Sequence, residues 1–156
     1  MRIFVALLHC VGSALQRIII LVFVQNLSYR FKHKIQEHGI KVLIDSDGNI
    51  HEMIPWLIEA GFDGIYPLER QSGVDINLIR EQYPDFLMLG GYDKMVMSKG
   101  EAQMRAEFER ILPVMKSGGY IASVDHQTPP EVTLENYKIY VRLFKEYSEK
   151  AAKPGR

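Results

Sequence analysis

Residues 40–67 have the sequence IKVLIDSDGNIHEMIPWLIEAGFDGIYP, which predicts a strand, a helix and a second strand. The β-branched run at 40–45 is typical of a buried strand, and the apolar residues over 50–60 recur at helical spacing. Gly61 then allows the left-handed turn that ends a helix, and a short apolar run follows at 64–67. Two strands joined by one helix form a βαβ unit, so this stretch predicts a parallel α/β fold.

The same alternation continues to the C-terminal end of the chain. The further elements are predicted as helices over 75–83, 104–115 and 134–150 and as strands over 86–89 and 120–124. Asp75 is the expected N-cap of the first of these helices. The inward face of the last helix is expected to consist of Leu134, Tyr137, Val141 and Phe144. Four parallel strands alternating with helices fit either a doubly wound sheet or half of a (β/α)8 barrel.

Length, charge and cysteine content narrow the class of protein. With 156 residues the chain is shorter than the roughly 250 that a complete (β/α)8 barrel needs, which suggests an incomplete catalytic unit. The 19 basic residues balance 19 acidic ones, so no long-range field favours a nucleic-acid partner. The single cysteine, Cys10, excludes an intrachain disulfide and favours a reducing compartment, which we take to be the cytoplasm.

Residues 1–27 are rich in apolar side chains but match neither a membrane span nor a signal peptide. Polar residues such as His9 and Arg17 interrupt the run well below the roughly 18 consecutive apolar residues that a span requires. We therefore expect a buried helix or strand there, and no membrane partner. The tail at 153–156 is expected to be loose.

Polar residues follow every predicted strand at its carboxyl end. Ligands of barrels and of open α/β sheets bind at this edge, so we expect these side chains to line one pocket that holds a small-molecule substrate. The candidate substrate-binding residues are Glu69, Arg70, Tyr92, Asp93 and Lys94. The other polar residues at this edge are Asp45, Asp47, Asp125 and His126.

His126 is the strongest catalytic candidate, because a histidine between an acid and the Pro-Pro turn at 129–130 has little packing purpose. Asp125 is expected to orient it, and Asp47 completes the predicted catalytic set. Two of the carboxylates have an alternative role. Asp47 could cap the following helix, and Asp93 could form an Asx turn.

A series of short motifs runs through the chain from the first predicted strand onward. They are IDSDGNI at 44–50, LIEAGFDG at 57–64, PLE at 67–69, GGYDK at 90–94, GGYI at 118–121, DH at 125–126, PP at 129–130 and ENY at 135–137. In this order and spacing they resemble the motifs of the uroporphyrinogen decarboxylase family. The resemblance covers about residues 29–148 and implies the C-terminal half of a (β/α)8 barrel over 28–152. We find no counterpart for residues 1–27.

The resemblance also implies one of two chemistries. One is cofactor-free decarboxylation of uroporphyrinogen, in which a histidine also stands at the position of His126. The other is zinc-assisted methyl transfer between a small methylated compound or thiol and a corrinoid partner protein. In that branch the positions of the zinc ligands are occupied here by Asp45, Asp47 and His126. Without sulfur ligands, a harder divalent ion such as Mn²⁺ or Mg²⁺ becomes an alternative to Zn²⁺.

The charge at the predicted edge favours methyl transfer over decarboxylation. A polyanionic porphyrinogen needs arginines, whereas only Arg70 and Lys94 stand here against the carboxylates. Decarboxylation is the alternative. A third hypothesis is an inactive half-barrel that folds by self-association or with a missing first half, because an isolated half leaves two sheet edges unpaired.

Overall fold

The computed structural model describes residues 2–7 and 29–152, with side chains described from residue 33 onward. Strands and helices alternate along this part of the chain. The strands are β1 (Arg2–Leu7), β2 (Ile40–Ser46), β3 (Gly64–Pro67), β4 (Leu87–Tyr92) and β5 (Tyr120–Val124). The helices are α1 (Tyr29–Gln36), α2 (Ile54–Glu59), α3 (Ile76–Gln82), α4 (Glu101–Ser117) and α5 (Leu134–Ala152). Two 3-10 helices, Arg70–Ser72 and Lys94–Lys99, follow β3 and β4. The predicted loose tail at 153–156 lies outside the described residues.

Neighbouring strands of the sheet are all parallel, in the order β1-β2-β3-β4-β5. Each strand lies beside its neighbour in the sequence, which is the arrangement of a partial (β/α)8 barrel and not of a doubly wound sheet. The predicted α/β class and the four alternating parallel strands are therefore confirmed. β1 adds a further strand from within residues 1–27, with Arg2 paired to Ile40 at the edge of β2.

The helix after β2 begins later than its periodicity indicates. Predicted from residue 50, α2 starts at Ile54. The side chain of Asn49 accepts a hydrogen bond of 3.2 Å from the N–H of His51, and this local turn competes with a helical start. Ile50 is nevertheless buried, whereas Ile58, expected on the same apolar face, is 43% exposed.

In the last helix, the predicted inward face is wrong at its first turn. Leu134 is 67% exposed and Tyr137 is 43% exposed, whereas Val141 and Phe144 are partly buried. The buried residues of α5 are Tyr140, Leu143 and Tyr147. They face Phe108 of α4, whose ring lies 5.1 Å from that of Tyr147. Because both faces carry apolar or aromatic side chains, periodicity alone does not tell which one α4 covers.

The core lies between the sheet and its helices. Its members include Val42, Ile44, Ile65 and Met88 from the strands and Met104, Phe108 and Ile111 from α4.

Asp75 is the N-cap of α3, as predicted, because its carboxylate accepts the N–H of Asn77 at 2.9 Å. Within residues 2–7 and 29–152, no helix has the length and apolar character needed to cross a membrane.

Candidate functional site

His126 and Asp47 meet at the carboxyl edge of the sheet. His126 Nε2 lies 3.7 Å from Asp47 Oδ1, and the two side chains are 40% and 42% exposed. They follow β5 and β2, which are separated by β3 and β4 in the sheet. Three interstrand spacings amount to roughly 14 Å in a flat sheet, so the contact needs curvature or loops that fold over the edge. Such convergence of strand ends is what a barrel provides.

The proposed metal ligands are only partly gathered. Asp47 and His126 are close, and Asp45 is half-buried at the end of β2. Both aspartates also take part in other interactions. Among the side chains of residues 33–152, no group of three or more His, Cys, Asp or Glu is arranged to hold a metal ion. The structure thus brings two of the three proposed ligands together.

Glu69 and Lys94 form an ion pair beside this site. Lys94 Nζ lies 3.0 Å from Glu69 Oε1 and 3.9 Å from Asp125 Oδ1, and its side chain is only 14% exposed. The hydrogen bond from Lys94 lowers the pKa of Glu69 against the opposing effect of burial, and the charge of His126 acts in the same direction as Lys94. Glu69 therefore stays ionised near the imidazole, and the charge of Lys94 is already balanced.

The guanidinium of Arg70, which was predicted to bind substrate, is engaged by residues at the start of α3. Nη1 donates a hydrogen bond of 3.1 Å to the carbonyl oxygen of Val74 and lies 3.6 Å from Asp75 Oδ2. The 3-10 helix that begins at Arg70 turns the chain towards the start of α3, so the side chain pairs there instead.

Tyr92 is a core residue, and its predicted role in substrate binding is wrong. It is fully buried, and its hydroxyl donates to the carbonyl oxygen of Met104 at 3.3 Å. Its ring packs against Phe108 and Tyr140 at centroid distances of 4.6 and 5.1 Å. Burial raises the pKa of the Tyr92 hydroxyl well above its usual value. Strand β4 is longer than predicted, and its last side chain packs into the helix layer.

Asp93 has the capping role that was the alternative to substrate binding. Its carboxylate accepts the N–H of Met95 at 2.9 Å and the side-chain amide of Gln71 at 2.7 Å. Its own N–H donates to Glu107 Oε1 at 2.8 Å. Asp93 thus starts the second 3-10 helix and joins it to the loop after β3.

Asp125 is fully buried, and its carboxylate serves the neighbouring loops rather than His126. Oδ2 accepts the N–H of Arg70 at 2.8 Å, and Oδ1 accepts the N–H of Lys94 at 3.3 Å. Burial raises the pKa of the Asp125 carboxyl, although the two N–H donors act in the opposite direction. The expected hydrogen bond to the imidazole is therefore replaced by bonds to the loop backbone.

Supporting residues of this edge were missing from the sequence-based prediction. Ser72 donates a hydrogen bond of 3.0 Å to Glu69. Arg110 binds Glu107 through two nitrogens, at 2.6 and 2.8 Å, and donates to the carbonyl oxygen of Gly91 at 2.9 Å. The signal for this pair was present in the sequence, as opposite charges three residues apart on a helix that is otherwise apolar on that face.

Comparison with known proteins places the chain in a family. The family model described as Uroporphyrinogen decarboxylase (URO-D) matches residues 10–147, so the match extends into the segment for which we found no counterpart. No curated protein matches the chain. The matched region includes both members of the His126–Asp47 pair and the strands β2 to β5 that present them. The chain therefore belongs to the uroporphyrinogen decarboxylase family.

Proposed function

We propose that the protein is a decarboxylase in which His126 and Asp47 form the acid–base pair that delivers a proton to the substrate. The observation that carries this proposal is the 3.7 Å separation of His126 Nε2 and Asp47 Oδ1 at the carboxyl edge of the strands. Both side chains remain open to solvent, so a substrate can reach them. Histidine is the side chain most often used for proton transfer, because its charge changes near neutral pH.

The pair suits the step that follows loss of CO₂. Decarboxylation breaks the bond between a substrate carbon and its carboxylate, and the electron pair stays on that carbon. A proton must then form the new C–H bond, and the imidazolium of His126 supplies it. Asp47 stabilises the charged ring before the transfer. Glu69 adds a second negative charge near the imidazole.

Metal-assisted methyl transfer with a corrinoid partner protein is the second candidate, and the charge of the edge favours it. Arg70 is engaged by Val74 and Asp75, and Lys94 lies between Glu69 and Asp125. In a decarboxylase, the cations that hold a polyanionic porphyrinogen would therefore come from outside the described residues.

Among the residues whose side chains are described, the pair offers too few ligands for a metal site. Asp47 and His126 offer one carboxylate and one imidazole, whereas catalytic zinc sites use three protein ligands. A harder ion such as Mn²⁺ or Mg²⁺ also prefers more oxygen ligands than this pair supplies. We therefore assign the proton-handling role to the pair.

Release of CO₂ from uroporphyrinogen tests the first proposal. Wild-type protein is compared with His126→Asn, Asp47→Asn and a matched control, His38→Asn, which changes an exposed histidine in the turn before β2. We expect His126→Asn to lower the rate by roughly 100-fold or more, and His38→Asn to leave it unchanged. Treatment with a chelator should have no effect. A folded wild-type protein that releases no CO₂ contradicts the proposal.

Elemental analysis separates the two candidates. Methyl transfer predicts a divalent metal that stays bound through dialysis of the wild-type protein and is lost from both His126→Asn and Asp47→Asn. It also predicts methylation of a small thiol by methylcobalamin that depends on this metal. If CO₂ release survives chelation and no metal is retained, the second candidate is rejected.

A further inference from the structure

Asp125 is a buried acidic residue whose hydrogen-bond partners all lie in other parts of the chain. Its side chain is fully shielded from solvent at the end of β5, directly before His126. A buried carboxylate is tolerated only where donors compensate its lost hydration. Here the donors are the N–H groups of Arg70 and Lys94, which are 55 and 31 residues away in the sequence.

These two N–H groups begin the two 3-10 helices, Arg70–Ser72 and Lys94–Lys99. The first N–H groups of a helix have no partner within it and must find one elsewhere. One carboxylate satisfies both helices, at 2.8 and 3.3 Å. The N–H of Asp125 also donates to the carbonyl oxygen of Tyr92 at 2.9 Å, which continues the pairing of β4 and β5. Asp125 thus joins the carboxyl ends of β3, β4 and β5.

We propose that Asp125 is a positioning residue that clamps the loops after β3 and β4 to the end of β5 and so holds Glu69 and Lys94 beside His126. Lys94 Nζ is 3.9 Å from Asp125 and 3.0 Å from Glu69, which connects the clamp to an acid whose charge interacts with that of His126. This inference depends on the proposed function in one respect only, namely that His126 is the reacting residue.

The ring signals of His126 in NMR spectra distinguish positioning from a general effect on stability. The His126 signals are identified as those that disappear from the spectrum of His126→Asn. All spectra are recorded at the same pH. Asp125→Asn weakens the clamp, because an amide presents one acceptor oxygen instead of two. We expect it to shift and broaden the His126 signals while those of His38 stay in place.

Asp63→Asn is the matched control. Asp63 also accepts a backbone N–H, that of Val42 at 2.9 Å, and the ammonium of Lys41 at 2.8 Å, but it precedes β3 at the opposite end of the sheet. We expect Asp63→Asn to lower stability without moving the His126 signals. Unchanged His126 signals in Asp125→Asn, or equal shifts in both variants, overturn the proposal.

A second measurement on the wild-type protein covers the case in which Asp125→Asn does not fold. The amides of Arg70 and Lys94 should exchange with solvent roughly tenfold or more slowly than that of Gln127, which lies in an exposed loop. Exchange as fast as at Gln127 overturns the clamp. Both readouts are independent of turnover. A protein that releases no CO₂ but shows the expected shifts loses its proposed function and keeps the clamp.

Discussion

At the scale of single residues, Asp63 shows how one carboxylate joins three elements. It accepts hydrogen bonds from Lys41 Nζ at 2.8 Å, from the N–H of Val42 at 2.9 Å and from Gln36 Nε2 at 2.8 Å. Burial alone would raise the pKa of Asp63, but the hydrogen bonds outweigh it and the pKa is lowered. The ionised form is therefore favoured in the folded protein.

Asp63→Asn should destabilise the protein by about 2 kcal/mol at pH 7, because hydrogen bonds to a charged acceptor are lost or weakened. A carboxyl whose pKa is lower in the folded state stabilises the protein at pH values above its pKa in the unfolded state. This stabilisation is lost as the pH falls through the folded-state pKa. The difference between variant and wild type should thus shrink below about pH 3.9, the ordinary value for aspartate. Urea denaturation at pH 7 and at pH 3 measures it.

The nearby exposed residue Asp85 offers a control for this comparison. Asp85→Asn should change the free energy of unfolding by no more than about 0.5 kcal/mol, as is usual for surface substitutions. A gap between Asp63→Asn and wild type that is equally large at both pH values would contradict the role assigned to the Asp63 charge.

At the scale of elements, the close approach of β3 and β4 depends on Gly90. Its φ is +106°, a conformation that residues with a side chain rarely adopt. A Cβ at this position would also overlap the carbonyl oxygen of Pro67 at the end of β3. The strand ends that carry Glu69 and Lys94 can lie side by side because no side chain stands between them.

Gly90→Ala should therefore cost about 3 kcal/mol or more, since it combines backbone strain with steric overlap. Gly39→Ala is the matched control, because Gly39 also has a positive φ, +69°, but no atom within 4 Å of the added Cβ. It should cost only about 1 kcal/mol. Thermal or urea denaturation of both variants gives the comparison, and equal losses would mean that crowding against Pro67 is unimportant.

At the scale of the whole molecule, the described sheet ends in β1 on one side and β5 on the other. β5 carries no charged residue and no proline, the features by which edge strands usually avoid pairing. Ile121 in this strand is 42% exposed.

We predict that the chain self-associates through this edge. Light scattering coupled to size exclusion should give the mass of two chains or more, because pairing buries the open strand. Ile121→Lys should shift the distribution towards the monomer by placing a charge on the edge. A well-folded wild-type monomer at micromolar concentration would rule out the self-association hypothesis.

Local patterns were sufficient for most of the architecture. Strand β5 and strand β3 were predicted with their observed bounds, and the Asp75 cap follows from its place before an apolar helix. The start of α2 was predicted wrongly because Asn49 forms a side-chain turn. The buried face of α5 was predicted wrongly because α4 covers one of two similar faces. The spacing of apolar residues does not show whether a side chain will bond to a neighbour in the sequence or which helix face a distant element will cover.

By itself, the amino-acid sequence determined the alternation of parallel strands and helices and the convergence of polar residues at one edge, since both follow from spacing along the chain. Only the tertiary structure decided what those polar residues do. Arg70 pairs near α3, Tyr92 packs in the core and Asp125 binds two loop N–H groups, which leaves His126 and Asp47 facing each other. The physical reason is that a polar side chain bonds to the partners that packing brings close to it, and those distances are fixed only when the whole sheet and its loops have packed.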